Sequence, residues 1–302
     1  MSEVSRIHSV KAPPRVTRQR KHAAPSSKSA ANTERVPPGS SSREQLLRAV
    51  RSLGIEQDGF SKKSSSNINE RLQRRLQTRE RRRQDNLEKI LGLALDYAPA
   101  RTNNDELDID WLNSFLQQAE DISSPAMQKL WAKIMASESA RPGSFSLKTI
   151  ATLKRLTVRE ADIFRRGQAL TCRDSRHQSN KIITGYYRRP SLFTWLTLNK
   201  PVNLNLARAG LSYPDTLALA DLGILYPAAI ESGELEMTAP LQLTIGGDNL
   251  TLTPKTRGLV LTYHKYTAQG DELLRLLPPK SQQAFIDMLQ EHFSRDFVIA
   301  IN

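Results

Sequence analysis

A mainly helical α+β chain is what this sequence predicts, and three observations carry the expectation. Between about 109 and 170, apolar residues recur at helical spacing and the breaks carry helix caps. Between 241 and 265, apolar and polar residues alternate on both sides of a Gly-rich turn, then again in a third segment. The first 42 residues show neither pattern.

Residues 1–42 are rich in Pro, Ser, Ala, Arg and Lys and almost free of large apolar side chains. Such a segment cannot bury enough surface to offset its backbone ordering entropy, so a disordered basic arm is expected. Residues 43–97 form a basic helical segment: a short helix at 43–53, a Gly/Ser-rich break through Ser66, and a long helix over about 66–97. On that helix Ile68, Leu72, Leu76, Leu87, Ile90, Leu91 and Ala94 fall on one face at about 100° per residue. Arg79 and Arg83 interrupt the same face, where a docked helix would want leucine. The middle of the helix is therefore expected to stand off the body, with its C-terminal third packed.

Charge separates along the chain. Residues 1–95 hold 21 Lys/Arg against 9 Asp/Glu, and residues 96–302 hold 23 against 22, so nearly all of the net +13 lies in front. Between 71 and 84 stand seven arginines: Arg71, Arg74, Arg75, Arg79, Arg81, Arg82 and Arg83. Together with Arg18, Arg20 and Lys21 of the arm they are the candidate contacts for nucleic-acid phosphates, since concentrated positive charge attracts polyanions. The plain alternative is a solvated helix held by the i,i+4 pairs Glu70–Arg74 and Arg81–Asp85 and the i,i+3 pair Glu80–Arg83. A coiled-coil or anionic-membrane surface is a further reading of the same face.

After an acidic linker at 98–108, a helical domain is expected over 105–170. Trp111, Leu112, Phe115, Leu116 and Ala119 share one face, as do Met127, Leu130, Trp131, Ile134 and Met135. Ser124 with Pro125 marks a helix start, Ser146 another, and "TVRE" at 157–160 is a capping box whose helix turns Ala161 and Phe164 inward. The four carboxylates of "DELDID" read as charge complement to the helix that follows, not as a metal site. The α+β region 171–302 begins with β-prone residues broken by Gly185 and Pro190. It continues with a helix capped by Ser212 and ended at Gly223, the hairpin, a third strand at "LVLTYHKY", a helix capped by Thr267, a helix over 281–293, and a closing strand "FVIAI".

Known chemistries are sparse. One cysteine, Cys172, excludes an internal disulfide framework and a thiolate zinc site. The histidines lack metal-ligand spacing, and no phosphate-binding glycine motif occurs. "CRDSRH" joins Cys172, Asp174 and His177 in what reads as a polar surface loop, and "GYYRRP" as a strand and turn more than a base-stacking surface. No catalytic residue, cofactor or metal is therefore expected. Without an apolar h-region in the first 30 residues or a run long enough to span a bilayer, a cytoplasmic location is the expectation.

The run from 108 to 164, with its Leu-Trp-Ala-Lys and Pro-Gly-Ser-Phe-Ser blocks, resembles an uncharacterised bacterial family of unknown function, and about 205–275 is similar to it too. A looser likeness is to helical domains of phage abortive-infection proteins. The order helix, "ADLGIL", hairpin, strand, "TAQGDELLRLL" resembles winged-helix domains, which implies a winged-helix-like C-terminal domain. "PDTLALADLGIL" carries two acids and no Lys or Arg, unlike a recognition helix that reads DNA. The expected function is a non-enzymatic protein that engages nucleic acid nonspecifically through its basic N-terminal region. Its alternative is a protein–protein interaction or regulatory scaffold with a phage-defence role.

Overall fold

The computed structural model describes residues 41–55, 67–99, 106–176, 178–189 and 200–301. Arg18, Arg20, Lys21 and nearly all of the expected basic arm lie outside these residues, as does His177. The chain divides into two compact units, Met1–Gln57 and Asp58–Asn302. In the first, α1 (Ser42–Ser52) opens on a capping box between Ser41 and Glu44 and buries no residue.

In the second unit the helices come first: α2 (Ile68–Tyr97), α3 (Ile109–Ala119), α4 (Pro125–Ala140), α5 (Leu147–Arg155) and α6 (Val158–Gln168). Their starts are where the caps predict. Asp108 of the acidic cluster caps α3, accepting from the backbone N–H groups of Asp110 and Trp111 at 2.8 and 3.3 Å. Ser146 caps α5, and Thr157 with Glu160 closes both arms of the capping box on α6. Ser124 precedes Pro125 as predicted, but its side chain makes no cap bond. On α6 the residue buried beside Phe164 is Ile163, with Ala161 half-buried.

α4 is the centre of this layer. Trp131, Ala132, Ile134 and Ala136 are buried, and so are Gln128 and Glu138. Burial on more than one stripe follows from α2 and α3 packing around it. Trp111 and Phe115 stack with ring centroids 5.2 Å apart, and Phe115 lies 5.2 Å from Trp131. Burying an aromatic of this size stabilises by roughly 2–3 kcal/mol. Trp111 also donates its indole N–H to the Phe145 carbonyl at 2.7 Å.

The remainder builds one antiparallel sheet. Its strands are β1 (Cys172–Asp174), β2 (Asn180–Arg188), β3 (Val202–Asn203), β4 (Ile230–Glu231), β5 (Leu241–Ile245), β6 (Asp248–Pro254), β7 (Leu259–Lys265) and β8 (Phe297–Ile301). The helices α7 (Tyr213–Asp221), α8 (Ala268–Leu274) and α9 (Gln283–Phe293) interleave with them. The strand order is β4-β7-β2-β1-β5-β6-β8, with β3 paired to β2. The hairpin β5–β6 turns at Gly246–Gly247, as the alternation predicts. Gly246 has φ +65, and a Cβ there would meet the Ser281 nitrogen at 2.4 Å, so only glycine fits.

The sheet differs from the wing that the winged-helix likeness implies. β7 does not flank the hairpin; it pairs with β2, while the hairpin pairs outward to β1 and β8. The reason is the length and burial of β2, which holds Ile182, Ile183 and Tyr186 in the core and offers seven residues of register to β7. Residues 172–174 are strand, not loop, and Tyr186 of "GYYRRP" is a core residue packed edge-on against Phe293 and Phe297. One hydrophobic core runs from Ile90 of α2 to Phe297 of β8, so the segments 105–170 and 171–302 share it. α6 closes onto the sheet side: the space beside Gly167 is filled by Leu219 and Ile182.

Candidate nucleic-acid interface

The seven predicted arginines between 71 and 83 lie on the exposed half of α2 or at its junction with the body. Burial on this helix begins at Asn86 and continues at Ile90 and Ala94. Asn86 is polar for a reason. Its amide donates to the Glu120 carbonyl at 2.8 Å and to Ser123 Oγ at 3.2 Å, and accepts from buried Gln128 at 3.2 Å. That network fixes α2 on the α3–α4 connection, as a buried polar group requires.

Upstream, Arg74, Arg75, Arg79 and Arg81 are exposed, while Arg71, Arg82 and Arg83 are half-buried. Arg71, Arg75, Arg79 and Arg83 follow i,i+4 spacing and form one row; Arg74 and Arg81 are seven apart and lie on another side. Glu70–Arg74 and Glu80–Arg83 form at 3.9 and 3.4 Å, and Arg79 lies 3.6 Å from Glu80. The solvated-helix pairs thus account for part of the charge.

Arg83 is set apart from the others. It reaches Glu120 at 3.2 Å and Asp121 at 3.2 Å, and Lys154 meets the same Asp121 at 3.4 Å. The last arginine of the row is an anchor to the body. Burial alone would raise the Asp121 carboxyl, but hydrogen bonds from Lys154 and Arg83 outweigh it and hold the group below its ordinary value. A depressed carboxyl contributes stability above the ordinary carboxylate range, and that contribution is lost as pH falls through the depressed value. Thermal melts of Arg83→Gln between about pH 3 and 6 should therefore show a shallower acid limb than the parent. Solvent screening holds the difference at neutral pH to about 1 kcal/mol or less. Identical limbs would remove Arg83 from the clasp.

Two other motifs resolve differently from their sequence reading. Cys172 is buried in β1, and desolvation pushes its thiol up to about 12, so it presents no thiolate. Asp174, on the same face of β1, forms a buried ion pair with Lys181 of β2 at 2.9 Å, and that ammonium lies 4.8 Å from the Tyr263 ring centroid. The pairing joins residues of two adjacent strands, which the "CRDSRH" string alone does not disclose. Among the described residues no cluster of three or more His, Cys, Asp or Glu could hold a metal ion, and no helix is long and apolar enough to cross a membrane.

A helical layer sharing its core with an eight-stranded antiparallel sheet, fronted by an arginine-rich helix, defines an α+β class of protein. Within it, the chain belongs to the family described as protein of unknown function (DUF2806), whose model matches residues 70–290. The match takes in the arginine row as well as the body. Neither a curated protein nor a solved structure matches the chain.

Proposed function

We propose that this is a non-enzymatic, cytoplasmic, bacterial nucleic-acid-binding protein whose N-terminal region grips phosphates without reading sequence. The observation that supports the reading is the outer half of α2: Arg75, Arg79 and Arg81 are exposed there, while Arg83 is tied to the body. The +12 of residues 1–95, including Arg18, Arg20 and Lys21, adds attraction of the same sign. In this reading α7 serves protein contact, because it carries Asp215 and Asp221 and no cation.

The test uses the full chain, since cutting after residue 95 would strip Ile90 and Ala94 from the core. If about six phosphates are neutralised, the log–log salt slope is near −5. Arg75→Gln, Arg79→Gln and Arg81→Gln together should flatten it by about two to three. Equal slopes in a mobility-shift titration would reject the reading.

A protein–protein scaffold is the second reading, and a specific observation favours it. Ile68 and Leu72 are 68% and 45% exposed on the projecting half of α2. An amphipathic partner helix would cover them. A nuclease-treated pull-down that loses its partner on Ile68→Ser with Leu72→Ser, and keeps it in the arginine variant, would favour this reading over the first.

A further inference from the structure

Away from α2's outer half, three clefts of about 400, 530 and 230 Å³ run together across the body. The first two share Tyr97, Ala136, Ser137 and Arg275; the second and third share Arg275, Leu277 and Pro279. Arg275, the C-cap of α8, is the hub of all three. Around it stand Lys133 and Arg141 from α4 and its C-cap, Arg173 from β1, and Lys280 from the α8–α9 connection. No carboxylate is among the described residues that line any of them. That is a strong local asymmetry in a body whose cations and acids otherwise balance at 23 to 22.

The groove has more than charge. Tyr97, the last residue of α2, is 41% exposed and borders both larger clefts, with the Lys133 ammonium 5.8 Å from its ring centroid. Arg275 is held toward the groove wall by its bond to the Ser144 carbonyl at 3.3 Å. Part of the floor is closely packed, with the Gly246 backbone against Lys280 and Ser281. The acids next to the lining are engaged by the protein: Glu138 accepts from the Gly143 and Phe145 N–H groups, Glu272 from the Ser146 N–H, and Asp271 from Asn180 at 2.9 Å.

We infer that this groove binds a single nucleic-acid strand, its phosphates on Arg275, Arg173 and Lys280 and a base against Tyr97. A cationic groove with an exposed aromatic is how strands are held without sequence choice. Clefts of a few hundred Å³ admit nucleotides one at a time; a stacked duplex is too wide to enter and meets the rim alone. The site stands on residues other than the α2 arginines, so it holds or fails independently of the reading above.

The test is fluorescence anisotropy of the full chain with a labelled oligo-dT of about eight nucleotides, within the usual site size for such grooves. All versions carry the α2 glutamine substitutions, so that any grip by that helix is already removed. Arg275→Gln with Lys280→Gln should weaken binding at least about tenfold, because two phosphate contacts are lost. Tyr97→Leu should weaken it about fivefold or more through lost stacking. Arg275→Lys, which keeps the charge, should restore most of the affinity, and matched melting curves separate this from unfolding. Unchanged affinity in the glutamine pair would overturn the site. So would a blunt duplex competing as well as the strand, or no binding by the parent of the series.

Discussion

Replacing Lys181 by Met should cost about 3–5 kcal/mol of folding free energy, the range for breaking one side of a buried ion pair. Lys181 and Asp174 side chains are 9% and 2% exposed, and their 2.9 Å contact ties β2 to β1 at the middle of the sheet. Asp174 also accepts from the Arg176 backbone N–H at 3.0 Å, which turns the chain out of β1. With the ammonium gone, the enclosed carboxylate loses its 2.9 Å ion pair, and the face of Tyr263 loses its cation. Asp174→Asn in the same chain should recover much of the loss, because a neutral amide is cheaper to bury than a carboxylate that has lost its lysine. Urea titrations of the parent, both single variants and the double variant give the coupling directly. A Lys181→Met protein within about 0.5 kcal/mol of the parent would show that the pair carries no net stability.

What could be read in advance divides by the range of the interaction. Caps are local, so Ser146, Thr157 with Glu160, Ser212 and Thr267 all disclosed helix starts from a few neighbouring residues. The two glycines of the hairpin turn are equally local. Arg79 and Arg83 interrupting an apolar stripe correctly placed the exposed half of α2, because a stripe is a property of one helix. It could not show that Arg83 would find Glu120 and Asp121, nor that Asn86 would be buried, since both depend on the α3–α4 connection meeting α2. The same limit hid the Arg275 groove. Its cations come from Lys133, Arg141, Arg173, Arg275 and Lys280, spread over nearly 150 positions, and no short window contains more than two of them. The sheet order was out of reach for that reason too: β1 pairs with β5 some 70 residues on, and nothing near either strand signals it.

Glu138→Ala should be the other severe lesion, at about 3 kcal/mol or more, because it removes two charge-assisted hydrogen bonds in a buried setting. One carboxylate oxygen accepts from the Gly143 N–H at 2.6 Å and the other from the Phe145 N–H at 2.8 Å. The loop between α4 and α5 is thus folded back on the helix it leaves, with Gly143 at φ +84 making the reversal. A second carboxylate, Glu272 of α8, holds the far end by accepting from the Ser146 N–H at 2.7 Å and Thr149 Oγ1 at 2.5 Å. The run "RPGSFS" therefore takes its shape from one acid on the helix it leaves and one on distant α8, while Phe145 supplies the carbonyl that satisfies Trp111. Glu138→Gln should fall between parent and Ala, since the amide nitrogen would face an N–H donor. Hydrogen exchange at Gly143 and Phe145 is the discriminating measurement, and unchanged protection in Glu138→Ala would sink the account. The loop also presents Arg141 and Ser144 to the groove. Loosening it should weaken oligonucleotide binding without altering a single groove side chain, which links the buried acid to the proposed site through backbone position alone.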